Sequence, residues 1–387
     1  MSARFGPNFG KVFAAALLQE MSFFLLVHFP GYLATLGITE ALIGVLYAAA
    51  AGVSLAFRPA LGRILDLTHR RTVLLVTGVL NALVVLALAF TSVWGPLVWG
   101  LFLAQRVLQI ILFTTMLTYG ADSIPAEHRT QGLALFGLSG LLPIALGGIA
   151  GDLVIDAFGY PALFVLASAA SLASWLLVWR LPLLPILGHR PRRGFWAALA
   201  QRNLLPLWWV TLMFGIGMET VFTFTRTYVG DRAIGSTGLF FGVYSLSAAS
   251  MRIVGGRHYD RVPQRPFVAG SLVSYGLCLV LMAIAGNAVV IVLAAVAAGL
   301  AHGALFPILT SQVVSRARTA ERGSAMSIFT SIFDIALLVS APAVGVVIDG
   351  FDYRTAFSAV AVMLGIGAVV YTLWDRWLVS SEAAIPA

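Results

Sequence analysis

Long apolar segments separated by short polar connections repeat along the whole chain. Each is roughly 20 residues long, the length that an α-helix needs to cross the hydrocarbon core of a bilayer. Because the connections are short, consecutive helices are expected to run antiparallel. The pattern predicts an all-α membrane protein with twelve transmembrane helices. The expected spans lie near residues 11–35, 41–61, 72–91, 96–119, 130–152, 160–180, 204–229, 237–256, 266–286, 288–314, 324–347 and 355–377.

One polar interval near the middle of the chain is longer than the others. RLPLLPILGHRPRRGFWAALAQRN begins at Arg180 and contains three prolines, a cluster of arginines and a short amphipathic stretch. We expect it to lie along the cytoplasmic membrane surface as a linker. The predicted domains are an N-terminal six-helix bundle at 1–180, the linker at 181–203 and a C-terminal six-helix bundle at 204–387.

The two halves of the chain resemble each other. RPALGRILDLTHRR at 58–71 matches RIVGGRHYDRVPQR at 252–265, and IDAFGYPALF at 155–164 matches IDGFDYRTAF at 348–357. The matches occur in order and at nearly the same interval, about half the chain. They predict two pseudo-symmetric bundles in parallel orientation. A repeat of this kind places a binding site between the bundles, near the bilayer midplane.

Composition agrees with a lipid environment. The mean hydropathy is +0.94, only 10% of residues are charged, and the net charge is +8. The basic residues stand in short loops between apolar segments, so nucleic acid is not an expected partner. All but four of the 24 Lys and Arg residues fall on one set of alternate loops and ends. By the positive-inside rule, both termini are cytoplasmic, and we expect a bacterial inner (plasma) membrane.

Several function classes are excluded by missing motifs. No GxxxxGK[ST] is present, which argues against an ATP-driven pump, and neither HExxH nor GxSxG is present. We therefore do not expect an enzyme. His28 and His302 lack a ligand at metal-binding spacing on the same helix, so neither a metal nor another cofactor is predicted. Cys278 is the only cysteine, and it has no partner for a disulfide.

Three motifs carry a resemblance to a known family. GRILDLTHRR, from Gly62 to Arg71, resembles the signature between helices 2 and 3 of the major facilitator superfamily, with Leu67 and His69 as departures. AQRVLQI, around Arg106, resembles the helix-4 signature of its proton-coupled members. GLLPIALGG at 140–148 loosely resembles the helix-5 signature of its antiporters. The drug and metabolite efflux (drug:proton antiporter) branch is the most similar one.

This resemblance implies a cytoplasmic gate around the charged cluster that follows helix 2. Asp66 is expected to face the end of a helix from the opposite half, because an aspartate caps helix N–H groups and favours the positive end of the helix dipole. The alternative is that the arginines only fix topology. The predicted gate residues are Arg58, Gly62, Asp66, Arg70, Arg71, Gly256 and Asp260.

Four ionisable residues stand out near the middle of predicted spans, where each costs about 2.5–3.5 kcal/mol on insertion scales and is usually functional. They are Glu20, Arg106, Glu219 and Asp334, two in each half. We expect Glu20 or Glu219 to carry a proton, and Asp334 to be a second carrier. Arg106 is expected either to favour the ionised form of the proton-carrying carboxyl group or to bind an anionic group of the substrate. The alternative is that they form ion pairs between helices, for example Glu20 with Arg106.

Helical spacing extends these positions into polar stripes that face the protein interior or water. Glu219, Thr223 and Arg226 share one face of helix 7, while Ser331 and Asp334 share one face of helix 11. Packing of His302 or snorkelling of Arg226 are the structural alternatives. The predicted substrate-binding residues are Glu20, Arg106, Gln109, Glu219, Thr223, Arg226, His302 and Ser331.

The expected function is secondary active transport of a small organic molecule by alternating access. Efflux by proton antiport is favoured, because competition between a proton and the substrate for one carboxylate is enough to couple their exchange. The alternative is proton symport or facilitated uptake of a nutrient such as a sugar or an organic acid. The expected partners are the small-molecule substrate, protons and membrane lipid, and we expect a monomer.

Overall fold

The computed structural model describes residues 8–124, 136–183, 195–255, 264–318 and 321–383. Within these ranges the regular structure is helical. The helices are α1 (Phe9–Leu25), α2 (Phe29–Thr35), α3 (Glu40–Leu67), α4 (Arg70–Leu88), α5 (Pro96–Ser123), α6 (Leu138–Trp179), α7 (Phe195–Leu199), α8 (Leu205–Arg232), α9 (Thr237–Gly255), α10 (Gln264–Ile284), α11 (Ala288–Arg316), α12 (Arg322–Gly350) and α13 (Tyr353–Ala383).

Eleven helices of the described chain are long and apolar enough to cross a membrane, with α1 and α2 counted together as Phe9–Thr35. One of them, α6, has 42 residues, about twice what a single crossing needs. Its regular geometry is broken at Gly159, where φ is 79° and ψ is 179°. Only glycine adopts such a conformation without strain. Two consecutive crossings therefore meet at Gly159, which gives the twelve predicted spans and confirms the fold class.

The chain forms two compact units. Unit 1 comprises residues 1–38, 49–189 and 236–242, and unit 2 comprises residues 39–48, 190–235 and 243–387. The first turns of α3 thus belong to unit 2, and the first turn of α9 belongs to unit 1. Each of these two short segments thus belongs to the unit formed mainly by the other half of the chain. The division into bundles at 1–180 and 204–387 with a linker at 181–203 stays a prediction.

In unit 1, α1 packs closely along the first half of α6 because glycines line the contact. A Cβ atom on Gly147 would lie 2.6 Å from the backbone carbon of Phe24. A Cβ atom on Gly151 would lie 2.2 Å from the His28 ring. Contacts this short do not occur between real side chains. The glycines therefore let α1 place its polar residues against the core of the unit.

In unit 2, one end is held by a charged cluster on three helices. Asp375 of α13 is 2% exposed and accepts a hydrogen bond from Arg265 of α10 and another from Arg316 of α11, both at 2.7 Å. Arg316 also donates to the carbonyl of Asn203, before α8. The sequence analysis used these arginines only as indicators of membrane orientation and did not predict that Asp375 joins them.

Removing that aspartate should destabilise unit 2. We expect Asp375→Ala to lower the free energy of unfolding by about 3 kcal/mol, because two partly buried guanidinium groups lose their counter-ion. Thermal unfolding in detergent, followed by tryptophan fluorescence, measures the change. The matched control is Asp231→Ala, which breaks an exposed pair with Arg232 at 4.0 Å and should cost less than about 1 kcal/mol. Equal losses in the two variants would contradict the assignment.

Candidate functional site

A buried carboxyl group lies at the contact between α1 and α5 in unit 1. Glu20 is 7% exposed. The side-chain amide of Gln109 on α5 donates a hydrogen bond to Glu20 Oε1 at 3.0 Å. Within the described chain, no Lys, Arg or His nitrogen lies within 4.0 Å of this carboxyl group. Glu20 is therefore a buried acid held by an amide rather than by a cation.

The hydrogen bond to Glu20 is the end of a chain that links four helices. Gln19 Nε2 donates to Gln109 Oε1 at 3.2 Å, and Ser171 Oγ on α6 donates to Gln19 Oε1 at 3.1 Å. Asn81 Nδ2 on α4 in turn donates to Ser171 Oγ at 3.1 Å. Every member is buried. Because each bond orients the next group, the chain fixes the direction in which Gln109 presents its donor to Glu20.

Arg106 lies on the same face of α5 but does not pair with Glu20. Its guanidinium stacks over the ring of Phe23, 5.1 Å from the centroid, and lies 5.9 Å from the centroid of Phe102. These cation–π contacts stabilise the guanidinium group. The ion pair between Glu20 and Arg106, considered above as the structural alternative, is absent. The structure does bring Glu20, Gln109 and Arg106 together at the α1–α5 contact.

In unit 2, the predicted stripe on α8 is present. Thr223 is buried, and its Oγ1 has no hydrogen-bond partner among the described residues. Glu219 and Arg226, on either side of it, are partly exposed. Glu219 is close enough to Tyr244 and Tyr275 to interact with them electrostatically. The stripe combines an acid, an unsatisfied hydroxyl and a base on one helix.

His302 is enclosed by aromatic rings. Its Nδ1 is hydrogen-bonded to the hydroxyl of Tyr244. The ring centroids of Phe214 and Phe306 lie 5.5 Å and 5.8 Å from its own centroid. Its side chain is 8% exposed. These contacts satisfy part of its hydrogen-bonding capacity, and its role in lining a binding cavity stays a prediction.

The remaining predicted positions on α12 differ in their surroundings. Ser331 is buried, and its hydroxyl donates to the carbonyl of Ser327 at 2.8 Å. Asp334, one turn further on, is partly exposed. The hydroxyl of Ser331 is thus used within its own helix.

The predicted cytoplasmic gate is only partly visible. Arg71 donates to the carbonyl of Trp179 at 2.6 Å, which ties the start of α4 to the end of α6. Arg58 and Arg70 are partly exposed. Gly62 and Asp66 belong to α3, but their surroundings lie outside the described structure. Gly256 and Asp260 lie outside the described residues entirely. The gating role of Asp66 therefore stays a prediction.

A model of the Major Facilitator Superfamily matches residues 12–261 and 233–380. The chain belongs to this superfamily, so it is a multi-pass membrane transporter and not an enzyme.

Similar proteins agree with this assignment. An uncharacterised MFS-type transporter of Salmonella typhimurium is 26% identical over 295 residues, covering 73% of this chain and 67% of its own length. Another from Burkholderia mallei is 25% identical over 336 residues, covering 83% and 80%.

Two solved structures show the same fold. The POT family transporter PepTSo superposes with a TM-score of 0.82 at 11% identity, covering 98% of this chain and 99% of its own. The nucleoside transporter NupG gives 0.78 at 14% identity, covering 95% and 98%. At these identities the likeness concerns the fold alone.

The hydrogen-bonded chain on Glu20 predicts unequal effects for two glutamines of α5. Gln109→Leu should lower the free energy of unfolding by about 2 kcal/mol, because Glu20 Oε1 and Gln19 Nε2 both lose a buried partner. Gln105→Leu is the control, since Gln105 is equally buried but its Oε1 has no partner in the described structure. Chemical unfolding in detergent compares them. A larger loss for Gln105→Leu would contradict the network.

Proposed function

We propose that this transporter exports a small organic molecule in exchange for protons, with Glu20 as the proton carrier. The carrying observation is the surroundings of Glu20: a carboxyl group buried at membrane depth, bonded to one amide and to no cation. An isolated ion at this depth costs about 2.5–3.5 kcal/mol on insertion scales. The group must therefore take up a proton or meet a cationic ligand during the cycle.

Exchange follows from these two ways of neutralising one carboxylate. When a proton occupies Glu20, the carboxyl group is neutral and cargo is not held. When a cationic or hydrogen-bond-donating cargo occupies it, the proton is displaced. Because Gln109 donates rather than accepts, it supports the ionised carboxylate that meets the cargo without supplying a competing charge. One acid then suffices for antiport.

The other polar groups supply cargo contacts in this proposal. Arg106 remains a cation, stacked on Phe23, and repels a second positive group. In unit 2, Thr223 offers an unsatisfied hydroxyl between Glu219 and Arg226. Aromatic side chains surround His302 and suit an apolar or aromatic body. Together they support an amphipathic organic cargo with a hydrogen-bonding or cationic group.

The membrane setting completes the proposal. We place the protein in a bacterial inner membrane with both termini in the cytoplasm, as the distribution of Lys and Arg indicates. On this orientation, protons enter down their gradient while cargo leaves. The protein acts as a monomer, since each chain carries both halves of the repeat.

Transport in proteoliposomes tests the carrier. Purified protein is reconstituted with a pH-sensitive dye inside and given a panel of fluorescent organic cations, organic anions and sugars under an imposed pH gradient. We expect at least one compound to move against the proton flux. In Glu20→Gln both pH-driven transport and cargo-for-cargo exchange at equal pH should fall to background, because the side chain is permanently neutral and, like the protonated acid, does not hold cargo.

The control is Asp156→Asn, a charge removal at an exposed position of α6, which should transport as the unmodified protein does. Cargo that moves with the protons would replace export by the symport alternative. If Glu20→Gln and Glu219→Gln both keep full pH-driven transport, neither carboxyl group is the carrier.

A further inference from the structure

The first turn of α9 is bound by an aspartate far away in the sequence. The backbone N–H of Gly238 donates a hydrogen bond to Asp152 Oδ2 on α6. The first N–H groups of a helix have no partner within the helix, and a carboxylate accepts them well. Backbone atoms also meet here, because a Cβ atom on Gly238 would lie 2.7 Å from the Cα of Ile149. The contact therefore requires both the glycine and the aspartate.

The same aspartate faces a buried histidine. His28 is fully buried, and its Nδ1 lies 3.6 Å from Asp152 Oδ1. Its Nε2 lies 3.1 Å from the carbonyl oxygen of Gly148. A carbonyl oxygen only accepts, so Nε2 carries a hydrogen. A neutral His28 would then turn the lone pair of Nδ1 towards the carboxylate, which is repulsive. A proton on Nδ1 turns this repulsion into an ion pair.

A second aspartate makes a corresponding contact in unit 2 without a histidine. Asp349 on α12 accepts from the backbone N–H groups of Glu40 and Ala41, the first residues of α3, at 3.0 Å and 2.9 Å. Gly345 permits the approach, since a Cβ atom there would lie 2.3 Å from the carbonyl oxygen of Glu40. The side chain of Glu40 accepts from the hydroxyl of Tyr353. Asp152 thus binds the start of α9 within unit 1, and Asp349 binds the start of α3 within unit 2.

We propose that Asp152, His28 and Gly238 form a proton-binding latch, the α9 latch, which is closed while the His28–Asp152 pair holds a proton and releases α9 when the proton leaves. Asp349, Glu40 and Ala41 form a corresponding latch without a histidine, the α3 latch. Each latch holds a helix start from the opposite sequence half within a unit, so alternating access requires both to open. The proton site is separate from Glu20.

Other charges near the pair do not replace this proton site. The ionisable groups on the elements packed against it include Lys11, Glu20 and Tyr32 on the α1–α2 segment, Arg106 and Tyr119 on α5, and Asp156 and Tyr160 on α6. Tyr32 is bonded to Thr91, Asp156 is exposed, and Arg106 is stacked on Phe23 and Phe102. The start of α9 itself, Thr237–Gly242, has no ionisable side chain.

The direction of coupling rests on the proposed antiport, whereas the latch itself does not. On the predicted orientation, both latches lie at the outer ends of their helices. A proton that binds His28–Asp152 from outside, after cargo has left, closes α9 onto α6. Proton uptake would thus promote the return step, which is the order that export by antiport requires.

Distances between spin labels test the latch without any transport measurement. Labels are placed on Leu239→Cys and Phe158→Cys, both exposed, with Cys278 replaced by Ser, and the protein is studied in nanodiscs between pH 5 and pH 8. We expect the ratio of separated to closed distances to rise with pH by up to about tenfold per pH unit, the limit for release of one proton. Asp152→Asn and His28→Gln should each abolish this slope.

Two further variants separate this inference from the proposed function. Asp349→Asn should keep the pH slope of the α9 labels, because Asp349 binds the start of α3 and not the His28–Asp152 pair, and Glu20→Gln should also keep it. An unmodified protein with no slope, or a slope that survives in both Asp152→Asn and His28→Gln, would overturn the proposal. Loss of the slope in Asp349→Asn or Glu20→Gln would do so too. Asp152→Asn preserves shape, so it serves if His28→Gln does not fold.

Discussion

The hydrogen bond from Gln109 to Glu20 reflects the constraint on which the whole structure depends: polar groups at membrane depth must find partners inside the protein. Water is absent from the hydrocarbon core, and an unsatisfied group there costs several kcal/mol. Unit 1 meets the constraint with a chain of amides and hydroxyls that ends on Glu20. The chain supplies donors but no cation, so the free energy of the ionised carboxylate depends on what else enters the site.

Close helix packing makes this arrangement possible. Glycines on α6 bring α1 near enough for Gln19 and Glu20 to reach α5 and α6. The same property serves both latches, where Gly238 and Gly345 let a carboxylate approach the backbone of another helix. Small residues at such contacts replace the hydrophobic driving force that is missing between helices in lipid. Packing and polar chemistry are therefore set by the same positions.

Much of the fold was predictable because span length and helical period are local properties of the chain. They predicted the twelve crossings and placed Glu20 and Gln109 on helices that prove to be neighbours. The spans at 130–152 and 160–180 were expected from hydropathy, but their joining into one helix with only Gly159 between them was not. The partners of Asp152, Asp349 and Asp375 were also missed, since each binds groups on helices distant in sequence. Sequence patterns do not carry such pairings.

The unequal construction of the two latches bears on how a repeat acquires directionality. Two identical halves would bind a proton equally well, so both latches would open and close together. In the sequence repeat Asp349 aligns with Asp156, yet Asp156 is exposed and Asp152, one turn earlier, makes the contact in unit 1. That shift of one turn brings the carboxylate to His28. A displacement of one helical turn thus converts a simple helix cap into a cap that depends on a proton.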